Sequence, residues 1–148
     1  MALNTQLLRE SFALVADRSP DLTLRFYRIL FERYPAARPL FSRRSQSEQA
    51  RMLQEALVAV MDHLEDAPWL TTTLGALGAK HVDYGVSEHM YGWVGECLLA
   101  TLAEVAGSDW TDELHASWAA AYGAIAGLMI AGARTVGAQP LSSVSPVP

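Results

Sequence analysis

With one cysteine, Cys97, the chain can form no internal disulfide and no multi-cysteine zinc or iron–sulfur site. Basic charge is also scarce: Lys and Arg total 11 against 16 Asp and Glu, and Arg43-Arg44 is the only basic doublet. Phosphate backbones and anionic membrane surfaces both require a concentrated cationic footprint, so neither nucleic acid nor a membrane is an expected partner. The run Ala119 to Ala133, uncharged and mostly small and apolar, is shorter than the roughly 20 residues of a membrane span. Arg9 and Glu10 interrupt the N-terminus before a signal-peptide core can develop, and no Gly-rich dinucleotide fingerprint or reductase domain is evident. A cytoplasmic location is expected. Strand signals are missing too, because no stretch alternates β-branched residues with period two.

Apolar residues and helix punctuation are abundant. Hydrophobic residues make up 51% of the 148 and charged residues 18%, a balance that favours a folded single domain over disorder. The periodicity predicts an all-α chain. A first helix covers about Thr5 to Asp17, with Leu8, Phe12 and Val15 inward. Ser19-Pro20-Asp21 reads as the start of a second, with Ser19 as N-cap, and its inner stripe is Leu24, Tyr27, Phe31 and Tyr34. Pro35 and Pro39 bracket a short turn ending in Leu40-Phe41. Ser45 to Glu48 matches a capping box, opening a helix to about Leu64 whose inner face includes Gln49 and Leu53. Glu65 to Pro68 reads as the close of that helix.

The next helix carries Leu70, Leu74, Leu77, His81 and Tyr84 on one stripe, spaced four, three, four and three. A neutral imidazole on an apolar stripe must be hydrogen-bonded, solvated or bound to metal. Gly75 and Gly78 each cost this helix about 1 kcal/mol relative to alanine, so its position must come from packing. Gly85 reads as its C-terminal cap and Ser87-Glu88 as the next start, with Tyr91, Val94, Leu98 and Val105 inward. A last helix follows Thr111, its stripe running from Leu114 and Trp118 through Tyr122 to Gly132. The tail, residues 138–148, has three prolines and no periodicity, and is expected to be disordered beyond a domain spanning residues 1–137.

The order and spacing of Phe26-Tyr27, Leu30-Phe31, Arg38-Pro-Leu-Phe41, Glu48-Gln49, Lys80-His81, Gly85-Val86, Tyr91, Val94-Gly95, Leu98-Leu99, Trp118 and Ala121-Tyr-Gly123 resemble a globin. They are most similar to single-domain bacterial haemoglobins and the haem domain of flavohaemoglobins, over roughly Thr5 to Arg134. The resemblance implies a three-over-three helical sandwich around haem b (iron protoporphyrin IX). It implies His81 as the iron ligand, with Phe41, Leu53, Leu77 and Val94 lining the haem slot and Lys80 beside the ligand. It also implies Tyr27 and Gln49 around the bound gas, and Tyr91 as the residue that orients His81.

In relatives a glutamate assists that tyrosine, but its position here falls on Ala133. The implied function is reversible dioxygen binding for storage, delivery or sensing, with nitric oxide and carbon monoxide as further ligands and a monomer or homodimer as the working form. The alternative is nitric oxide dioxygenation with an external reductase. A haem-free helical interaction module, in which His81 and Tyr27 are ordinary core residues, is a third reading.

Overall fold

The computed structural model describes residues 3–138. Among them are six α-helices and no strand: α1 (Thr5–Arg18), α2 (Leu22–Arg33), α3 (Gln46–Asp62), α4 (Ala67–Asp83), α5 (Glu88–Ala106) and α6 (Asp112–Ala138). Short 3-10 segments, Pro35–Phe41 and Gly107–Asp109, fill two of the connections. Of the expected tail, residues 138–148, Ala138 ends α6 and the rest lies outside the described residues.

Four helices start on a side-chain cap. Asn4, Ser45, Asp66 and Thr111 each accept a hydrogen bond from the backbone N–H three residues on, at 3.0–3.2 Å. Such a cap contributes about 1 kcal/mol. Ser45 is the cap read from the sequence; two other boundaries differ. Ser19 closes α1, its N–H donating to the Val15 carbonyl at 2.9 Å, and α2 begins only at Leu22 after Asp21. With three residues between the helices, Ser19 cannot serve both. Likewise Asp66-Ala-Pro68 opens α4 instead of closing α3, with Pro68 in the first turn, where its missing N–H costs nothing.

α2 packs against both α5 and α3, and burial therefore spreads over Leu22, Phe26, Tyr27, Ile29, Leu30 and Phe31. Leu24, expected inward, is exposed, because two-sided packing turns the buried sector away from it. Tyr84 is exposed as well: α4 ends at Asp83, and Tyr84 caps it beyond the stripe. Gly85 follows with φ +88°, and the Val86 N–H closes onto the His81 carbonyl at 3.0 Å, so the left-handed residue expected here is present.

The most extensive helix pair is α4 on α6. Gly78 meets the Met129 backbone there, and a Cβ added at Gly78 would lie 1.9 Å from the Met129 carbonyl oxygen. A Cβ at Gly132 would lie 2.0 Å from the Gly75 carbonyl oxygen. The stretch Asp112–Val136 of α6 is long and apolar enough to cross a membrane by length and composition. Its inner stripe, including Leu114, Trp118, Ala121 and Met129, is buried in the core, and the Trp118 indole N–H donates to Ser11 Oγ at 2.9 Å.

Candidate functional site

Tight packing of α4 on α6 sets where His81 stands, in the last turn of α4. Its Nδ1 lies 2.8 Å from the Leu77 carbonyl oxygen, and a carbonyl only accepts, so Nδ1 carries the proton. That assigns the Nε2 lone pair as free. Burial lowers the His81 pKa and so favours the neutral ring, the form able to bind a metal, and the Leu77 bond opposes this only in part.

The sign of the consequence follows from linkage. Below the ordinary histidine range the unfolded chain takes up a proton that the folded chain resists, so this contribution to stability is complete above about pH 6.5 and is lost as pH falls through the lowered folded value. Chemical denaturation of the haem-free protein should show stability rising from pH 5 to 7. His81→Phe should flatten that rise.

His81 lines a partly open apolar cavity of about 200 Å³ bounded by α2 to α6. Voids in packed protein rarely exceed one water, so this space is a chamber and not a packing defect. Phe41, Leu53, Leu77 and Val94, the expected haem contacts, all line it, and Tyr91 does too. Trp93, Met90 and Tyr122 are further lining residues that sequence reasoning did not assign to the site. Tyr122 is the best placed of these. Its hydroxyl donates to the Tyr91 carbonyl at 2.7 Å, and its ring lies where a Cβ at Gly95 would be, 2.7 Å away. The only available signal was the recurrence of Gly95 and Tyr122 within the globin-like pattern.

Tyr91 does not hydrogen-bond His81. Their rings are 6.3 Å apart, centre to centre, and the Tyr91 hydroxyl is buried without a partner among the described residues. The Leu77 carbonyl does the orienting expected of Tyr91, because it is the acceptor one helical turn back from the imidazole. Ala133, where the resemblance implies a glutamate, has no side-chain acceptor to offer Tyr91. Lys80 is exposed and lines no chamber described here.

Tyr27 and Gln49 stand in an adjoining chamber, and Phe41 lines both. The Gln49 amide donates to the Tyr27 oxygen at 3.4 Å, a long bond. Tyr27 donates to no described residue, so its proton remains free. Burial raises its pKa and the Gln49 bond opposes this, leaving a protonated phenol at neutral pH. Phe26 and Phe41 meet its ring edge-on at 5.0 and 5.2 Å and hold it in place.

A bundle with one free-lone-pair imidazole facing an apolar chamber, and a phenol donor next door, has the make-up of a haem pocket. A model of the globin family matches residues 24–129. The chain belongs to the globin family. It is a haem-binding, gas-binding protein, which sets aside the haem-free module. The globin is 34% identical over 132 residues to the flavohemoprotein of Bordetella pertussis, covering 88% of this chain and 33% of that protein. With the Bacillus cereus flavohemoprotein it shares 30% over 131 residues, 87% of this chain and 32% of the relative. It thus spans about a third of the length of these relatives.

Its fold superposes on a bacterial globin from Campylobacter jejuni with a TM-score of 0.78 at 26% identity, covering 91% of this chain and 97% of the other. An engineered carbene transferase, a candidate nitric oxide dioxygenase from Rhodothermus marinus, gives a TM-score of 0.80 at 30% identity, with 93% and 97% covered. The residues present fit haem: the chamber is apolar, its one histidine is neutral with a free nitrogen, and an orphaned phenol shows that a polar group inside it lacks its partner.

Proposed function

We propose that this globin binds dioxygen reversibly at haem b in the cytoplasm, with His81 as the iron ligand and Tyr27 as the hydrogen-bond donor to the gas. Haem, when bound, supplies an iron to which a diatomic gas coordinates. The observation that carries the reading is the pairing of His81 Nε2, left free by the Leu77 bond, with a buried Tyr27 whose proton has no described acceptor. Dioxygen accumulates negative charge in such a setting and carbon monoxide little, so a phenol donor retains the first selectively. A hydrogen bond to a charged acceptor contributes about 1.5–3 kcal/mol, or one to two decades in residence time. Stopped-flow measurement on Tyr27→Phe should therefore show oxygen leaving about 10–100-fold faster, with carbon monoxide much less affected. Unchanged oxygen release would assign the role to Gln49.

The second reading is nitric oxide dioxygenation with a separate reductase, favoured by the likeness to the Rhodothermus marinus protein and to flavohemoproteins. Against it, the imidazole leans on a neutral carbonyl, and no carboxylate lines the chamber among the described residues. An uncharged partner adds little electron density to the imidazole, and a carboxylate would add more. Mixing the oxygen-loaded globin with nitric oxide under multiple turnover, with a reductase supplied, distinguishes the two. Sustained nitrate formation establishes the enzyme; a single turnover followed by arrest establishes the carrier.

A further inference from the structure

Among the described residues, positive charge on this protein is paired almost throughout, apart from the exposed Lys80 and one cluster of arginines. Every arginine outside residues 38–44 reaches a carboxylate. Arg38, Arg43 and Arg44 reach none among the described residues, although the chain carries a net charge of −5 and acidic partners are plentiful. The three are not scattered. Arg38 and Arg44 both line the chamber of Tyr27 and Gln49, where Ser42 and Gln46 complete the polar wall. Among the described residues no carboxylate lines that chamber. The Arg38 side chain is exposed, and its guanidinium stands 4.7 Å over the centre of the Phe31 ring, another lining residue, a contact that favours this pose.

We propose that this chamber is a binding site for a small free oxyanion, of the size and shape of nitrate, held by Arg38 and Arg44. Two guanidinium forks present paired N–H donors to coplanar oxygens, which a spherical halide cannot match. The side-chain amides of Gln46 and Gln49 add neutral donors, and Phe31, Pro39 and Phe41 form the apolar walls. The haem carboxylates offer the same chemistry from a second source, which the test separates. The site requires no particular gas reaction. Under the oxidative reading, it would hold the nitrate product beside the chamber in which that product forms.

The test uses the haem-loaded ferrous globin saturated with carbon monoxide, which is diamagnetic, and its absorption spectrum reports haem loading independently of anion binding. Sodium nitrate is titrated against sodium chloride at matched ionic strength while NMR follows the Gln46 and Gln49 amides and the Arg38 and Arg44 Nε–H groups. Nitrate should shift these signals saturably and chloride should not. Arg38→Ala with Arg44→Ala should weaken nitrate binding at least about tenfold, as expected for losing charge-assisted contacts. Arg51→Ala, which frees Glu55 on an exposed face, should bind as the unaltered protein does. Shifts linear in nitrate, or equal with chloride, would overturn the proposal. So would nitrate binding seen only after reconstitution with haem dimethyl ester, because the haem carboxylates would then be the natural occupants.

Discussion

His81→Ala should lose haem affinity by more than 100-fold while keeping its fold. Removing an outer partner of a metal ligand costs about 10–100-fold, and removing the ligand itself must exceed that. The fold should survive because His81 is only half-buried and its ring bonds within its own helix, to Leu77. α4 is held instead by Leu74 and by the contact of Gly78 with α6. After gel filtration the variant should be nearly colourless, with the helical circular dichroism of the haem-free parent. Added imidazole should restore the absorption band by occupying the vacated space. A variant that retains haem as tightly as the parent would remove His81 from the iron.

Gly78→Ala and Gly132→Ala should be among the most damaging single-methyl additions in the molecule. Each new Cβ would fall within 2.0 Å of a backbone carbonyl oxygen, and a backbone cannot swing aside as a side chain can. Overpacking costs typically 1–3 kcal/mol, and rigid neighbours place these at about 3, far above the ~1 kcal/mol that alanine returns in helix propensity. For a chain of this size that lowers the melting temperature by about 6–12 °C. Haem retention should fall as well, because separating α4 from α6 moves the helix that carries His81. Gly75→Ala is the internal control. Nothing lies within 4 Å of its added Cβ, and it should stabilise by up to about 1 kcal/mol. Equal melting temperatures for Gly75→Ala and Gly78→Ala would mean that the two helices do not pack this closely.

These glycines show why the sequence was informative here and silent elsewhere. Gly75 and Gly78 weaken α4 as an isolated helix, and it was legible that packing must locate it. Which of the two admits no methyl group was not legible, since that depends on the rotation of α4 against α6. The Ser45 cap was readable because a cap bonds three residues away along the chain. The start of α2 was misplaced because Ser19 could serve either flanking helix, and only the geometry of the junction commits it to α1. Leu24 was misplaced for a related reason: periodicity identifies one stripe, while α2 is buried by two neighbours at once.

The site divides in the same way. Phe41, Leu53, Leu77, His81 and Val94 converge on one chamber, as their order along a globin-like chain implied. The hydrogen bond from His81 to Leu77 was not foreseen. Nor was the orphaned Tyr91 hydroxyl, because both depend on side-chain direction and not on spacing.

Helix count, the candidate ligand histidine and the family were set by local patterns: caps, apolar periods and a spaced series of residue types that survives without any partner in view. Tertiary structure alone decided which faces meet, which glycines admit no methyl group, and which arginines go without a carboxylate. Those outcomes depend on distances between residues far apart in the chain, and only the packed helices bring such residues within reach of one another.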